Sequence, residues 1–201
     1  MAPEERESGR AVLVGKAAEE EGFGLYSYVL FGSPPTAATR PRYLRTIAAW
    51  VEGMEPIRRM EAQFPRAQLN VTYLPVTAEP PPGLAGRPGE AEWFLEHYNY
   101  ARARALLDVL RGEHRRGPYL VSHQRPLSTI QTLSGHYLLQ DLSVAHPDVA
   151  AVWMRTFLEQ AARTHYWEAG AGEQFALHLQ NVLAIAGEEM APIQKAIAWI
   201  K

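Results

Sequence analysis

A serine, a histidine and an aspartate stand at or beside the ends of three strand-like segments of this 201-residue chain. Ser33 follows the apolar run Leu25–Phe31, His123 follows Pro118–Ser122, and Asp141 lies within Leu138–Leu142. If those strands are parallel, their carboxyl ends share one edge of a sheet, the place where open α/β folds bind ligands. Brought together there, the three side chains would supply a nucleophile, a base and an orienting carboxylate. Ser122 and His123 are neighbours in sequence and point to opposite faces of a strand, so Ser33 is the candidate nucleophile. Thr36, Arg40, Arg42 and Arg125 are the candidate ligand-binding residues. The planar guanidinium fork suits a carboxylate or phosphate, and the helix start that follows Thr39 offers backbone N–H groups to an anion. Each has an ordinary alternative: polar residues end any such strand, Asp141 is expected to pair with an arginine such as Arg125, and arginines solvate helix faces.

Spacing excludes several chemistries. The chain has no G-x-x-x-x-G-K-[ST], G-x-G-x-x-G or H-E-x-x-H pattern, and no G-x-S-x-G elbow. With no cysteine it has no disulfide, thiolate zinc site or thiol nucleophile. No metal site and no cofactor is expected.

Net charge is −2 but unevenly spread. Residues 1–39 carry three basic and six acidic side chains; residues 40–125 carry thirteen arginines, no lysine and nine acids; residues 126–201 carry four basic and seven acidic ones. So weak a basic excess in the middle argues against nucleic acid and allows an anionic ligand or acidic partner. No apolar run approaches the roughly 20 residues of a membrane helix, and the acidic start is not a secretory signal. A bacterial, cytoplasmic protein is expected.

The elements that must position these residues follow from periodicity and breakers. Leu25–Phe31 is apolar on both alternating faces, as a strand covered on both sides would be. Ala11–Lys16 is a candidate strand that could pair with it as a hairpin, and Leu69–Val76 and Pro118–Ser122 read as further strands, with His136–Leu142 a fourth candidate. Helices are expected over Pro41–Glu52, Pro56–Gln63, Glu90–Leu110 and Pro147–Trp167. Asn99 falls on the apolar stripe of the third and is expected to satisfy loop backbone from within the core. Four prolines and three glycines make Glu79–Gly89 a loop.

A last helix is expected over Glu173–Ile200. Leu179, Ala186, Ile193 and Ile200, with Leu183, Met190 and Ile197 between them, form a narrow apolar seam interrupted by Pro192. The fold class is α/β: a small, mostly parallel sheet of three to four strands flanked by helices, with two C-terminal helices packed on it. Residues 1–201 are expected to form one domain, with 1–10 expected to be a disordered tail. The functional expectation is a non-catalytic binding or interaction module of a larger bacterial assembly. It would meet an anionic ligand or acidic partner, or self-associate, through its arginines and its C-terminal helix. The alternative is a small hydrolase or transferase using Ser33, His123 and Asp141.

Overall fold

Ten residues, 15–24, join two parallel strands that are not neighbours, and the architecture follows from how that link runs. The computed structural model describes residues 5–110, 116–131 and 137–167. Among them six strands form one sheet: β1 (Glu7–Val14), β2 (Leu25–Leu30), β3 (Glu55–Pro56), β4 (Leu69–Val76), β5 (Tyr119–His123) and β6 (Leu138–Asp141), in the order β3-β1-β4-β2-β5-β6. β1 is parallel to β3 and β4, and β4 to β2. β5 then runs antiparallel to β2, and β6 antiparallel to β5. The helices are α1 (Arg40–Gly53), α2 (Ile57–Met60), α3 (Glu90–Glu96), α4 (Tyr100–Leu107) and α5 (Ala150–Ala162).

The sheet is therefore larger than expected, and mixed rather than mostly parallel. β2 and β4 are buried at every position, as central strands with both faces covered must be. The proposed hairpin of the first two strands does not form, because β4 lies between them. Residues 7–10 belong to β1 and not to a tail. The helix expected over Glu90–Leu110 divides at His97–Asn99: the Asn99 side chain accepts from Arg102 N at 3.0 Å, capping α4, and donates to Gly15 O at 3.3 Å. The expected last helix lies outside the described residues.

One face of the sheet carries α1, α3 and α5. On it a polar ladder crosses four strands: Asn70 Nδ2 donates to Ser8 Oγ at 3.1 Å, Ser27 Oγ donates to Asn70 Oδ1 at 2.8 Å, and Ser27 and Ser122 hydroxyls meet at 2.6 Å. On the other face lie α2, α4 and residues 15–24. This link must travel the length of a strand and cross two interstrand gaps, about 25 Å in all. Ten helical residues span only about 15 Å, so it runs extended and needs partners for its backbone.

Two tyrosines of that face help to supply them, and a third holds the side chain of Glu19. Tyr73 Oη accepts from Glu20 N at 3.1 Å, and Tyr26 Oη from Phe23 N at 3.2 Å. Tyr28 Oη donates to Glu19 Oε1 at 2.9 Å and accepts from Leu127 N at 2.9 Å. The Glu19 carboxylate, fully buried, also receives Ser128 N at 3.1 Å and the Ser128 hydroxyl, with Arg102 Nη2 at 3.5 Å. Burial and the neighbouring carboxylate hold the Tyr28 phenol well above its ordinary value, and burial pushes Tyr73 up to about 12, so both stay protonated.

Where the link enters β2, Gly24 leaves no room for a side chain: a Cβ would lie 2.1 Å from Ala67 O. Gly24→Ala is expected to lower the yield of folded protein sharply, because a backbone oxygen cannot swing aside; circular dichroism and solubility check this. Tyr28→Phe leaves Leu127 N–H and one Glu19 oxygen short of a partner and is expected to cost about 1–3 kcal/mol in urea unfolding. Tyr100→Phe, which removes a hydroxyl with no hydrogen bond among the described residues, is the near-neutral control.

Candidate functional site

The antiparallel turn of the sheet at β5 decides where the expected site residues fall. His123 is registered with Tyr26 near the start of β2, while Tyr119 is registered with Leu30 at its end. Ser33 lies beyond that end, so His123 and Ser33 are separated by more than four residues of strand, over about 13 Å. Asp141, registered with Tyr119, is at the Ser33 end. The structure thus parts the base from the nucleophile, and the three side chains do not meet. The same register keeps Arg125 away from Asp141, so the expected ion pair is not made. Asp141 is instead an exposed member of an alternating strand, its Oδ1 accepting from Ser143 N at 2.7 Å.

The remaining candidates have local duties. Ser33 O accepts from Tyr43 Oη at 3.1 Å. Thr36 and Thr39 bond each other, Thr36 N donating to Thr39 Oγ1 at 2.8 Å, and Thr36 O accepts the first N–H of α1 from Arg40 at 2.9 Å. Thr39 thus occupies the N-cap position without bonding the helix through its side chain. Arg42 donates Nε to Ala145 O at 2.6 Å and Nη1 to Ser143 O, tying α1 to the loop before α5. Arg40 and Arg125 are exposed and have no ion pair among the described residues. Much of the arginine excess is answered internally: Arg58 and Arg66 share Glu20 and Glu61, Arg102 faces Glu19, and Arg59 faces Glu55.

A concavity lies elsewhere, at the amino-terminal end of β1. A groove of about 600 Å³ runs between the start of β1, the end of α1 and the length of α5. Ala49, Met54, Met154 and Leu158, all nearly inaccessible, make its floor. Its rim carries Glu52 of α1, Glu5 just before β1, Glu7 of β1, Arg155 and Glu159 of α5, and Arg163 just after that helix. The rim pairs are long, Arg155–Glu159 at 4.0 Å and Arg163–Glu5 at 3.8 Å, and exposed, so they hold little energy and give way easily. Ser8, first member of the polar ladder, and Arg6 complete the lining. Arg6 Nη1 is buried without a hydrogen-bond partner, and burial lowers the guanidinium from its usual value.

A smaller hollow of about 380 Å³ lies beside Arg10. That guanidinium is already committed to Met54 O at 3.0 Å and Glu90 Oε1 at 3.4 Å, 5.3 Å from the Trp50 ring centroid. Among the described residues no group of three His, Asp or Glu is placed to hold a metal ion, and no helix is long and apolar enough to cross a membrane. No protein-family model, curated protein or solved structure matches the chain.

Sequence reasoning missed the groove because its walls come from three distant segments. The one signal available was the short-range mixture of Met and Ala with arginine and glutamate along Ala150–Arg163.

His123 is buried, and burial together with the Arg125 guanidinium lowers its pKa below the ordinary histidine range; its Nδ1 lies 3.0 Å from Arg125 N and 2.9 Å from Arg125 O. The unfolded chain therefore takes the proton first as pH falls. The stability this neutral histidine contributes is full above about pH 6.5 and is lost as pH drops through that range. His123→Gln is expected to flatten the decline of unfolding free energy between pH 7 and pH 5, measured by urea titration.

Proposed function

We propose that this chain is a non-catalytic α/β binding module, part of a larger assembly, and that the groove between β1, α1 and α5 is its contact surface. The occupant is an amphipathic protein segment that lays an apolar stripe on Met54, Met154 and Leu158 and meets the two-signed rim with its flanking charges. The observation that carries this reading is the groove itself: an apolar floor in an otherwise charged rim, of the size that ordinary ligand clefts occupy. Methionine side chains adapt to irregular apolar partners, which suits a surface that grips a helix face. The separation of Ser33 from His123 removes the geometry on which a hydrolase would depend. The contact with an acidic group, first assigned to the arginines of residues 40–125, passes to Arg155 and Arg163, whose present partners are exposed and distant.

Methionine methyl NMR tests the proposal. Met54 and Met154 line the groove, whereas Met60 sits on the other face against Gly9. A helical peptide with leucine at i, i+3 and i+7 and glutamate and lysine elsewhere is expected to shift the Met54 and Met154 resonances and leave Met60 unmoved. Ala151→Arg, which fills the groove from an exposed position on α5, is expected to abolish those shifts. Equal shifts at all three methionines, or none, would overturn the reading.

A further inference from the structure

The groove has a candidate occupant within the chain. α5 forms one wall of it, and the chain leaves that helix at Arg163, itself a lining residue. There the backbone is clasped to the residues just before β1: Arg6 N donates to Ala162 O at 3.1 Å, and Glu5 and Arg163 form an antiparallel bridge. A short turn, Thr164–Trp167, follows, with the Trp167 indole N–H donating to Ala161 O at 2.7 Å. The chain therefore reaches the end of its described part within a few residues of the groove, and thirty-four residues remain.

Their sequence has what the groove lacks. Gly170-Ala171-Gly172 provides a point of reversal. The seam Leu179, Leu183, Ala186, Met190, Ile193 and Ile197 provides one narrow apolar stripe, and Glu188, Glu189 and Lys195 provide charges of both signs beside it. If the seam binds there, the few residues between Trp167 and residue 173 would hold it at the groove at an effective concentration on the order of millimolar, well above that of a free partner.

We propose that residues 173–200 of the same chain occupy the groove as an internal ligand, which an outside partner must displace. This rests on the groove being the binding surface. The regulation follows from competition: the apparent affinity for a partner is the intrinsic one reduced by the fraction of molecules whose groove is open.

The absence of cysteine makes the test direct, because a single Arg45→Cys, exposed on α1 one turn before Ala49 and outside the groove lining, carries one nitroxide label in the full chain. The expected result is strong paramagnetic broadening of the Met190 methyl, none at Met60, and no change on dilution. In a mixture of spin-labelled chains with isotope-labelled, unmodified chains, Met190 is expected to stay sharp. Broadening in that mixture would show a second copy in the groove and overturn the internal assignment. Leu183→Asp, a change in the seam alone, is expected to tighten binding of the leucine-glutamate-lysine peptide about tenfold, by opening the groove. If the peptide still shifts Met54 and Met154 but Met190 is not broadened and Leu183→Asp changes nothing, the internal ligand is wrong and the groove stands. If the peptide also fails to bind the Leu183→Asp chain, both readings fall.

Discussion

The hydrogen bonds between tyrosine hydroxyls and the extended link of residues 15–24 are the condition on which the rest of this architecture depends. Linking β1 to β2 across β4 with ten residues forbids a helix, and an extended link has no helical partners for its backbone donors. Tyr73, Tyr26 and Tyr28 stand their rings on the sheet and offer oxygens at the height of the link. They join apolar burial and polar satisfaction in one residue type. With that face closed by a strand-like cover and two short helices, the long helices α1 and α5 are left to the opposite face. The groove lies between them and the start of β1.

The two faces accordingly have different polar economies. The tyrosine face reaches outward to fix a covering segment. The opposite face holds its ladder of Ser8, Asn70, Ser27 and Ser122 within the sheet, side chain to side chain, so that the helices above meet a surface with most of its hydrogen bonds already closed. Thr72 Oγ1 and Gln140 Oε1 remain buried there without partners. The packing of α5 rests on Trp153, Met154, Phe157 and Leu158, all buried, and contributes apolar area without demanding hydrogen bonds from the ladder.

Much of this was legible in the sequence, for identifiable reasons. Leu69–Val76 and Leu25–Phe31 announce themselves by apolar content on both faces, and Arg40–Gly53 by its stripe and its proline near the start. What could not be read was strand order and direction. Pro118–Ser122 looks the same whether it runs parallel or antiparallel to β2, yet that single choice carries His123 from one end of the sheet to the other and dissolves the catalytic constellation. The division of Glu90–Leu110 was hidden because Asn99 keeps the helical spacing while its side chain caps the next helix. The arginine-rich middle was legible as a charge excess but not as a set of partners, because Glu19 and Glu20, which answer Arg102, Arg58 and Arg66, lie far away in the sequence.

The position of β1 has a consequence in time. During synthesis Glu7–Val14 is made before its long partner β4, which emerges only after β2 and α1 are complete. Until then Ala11-Val12-Leu13-Val14 is an apolar, β-branched stretch with both edges open, the kind of segment that recruits other chains. Arg6, Glu7 and Arg10 on one side of it and Lys16 on the other interrupt the stretch with charge, which blocks pairing between copies during the wait. Contacts this distant along the chain also slow the pairing of β1 with β4. The charged residues around this stretch thus guard a strand whose long partner is made well after it.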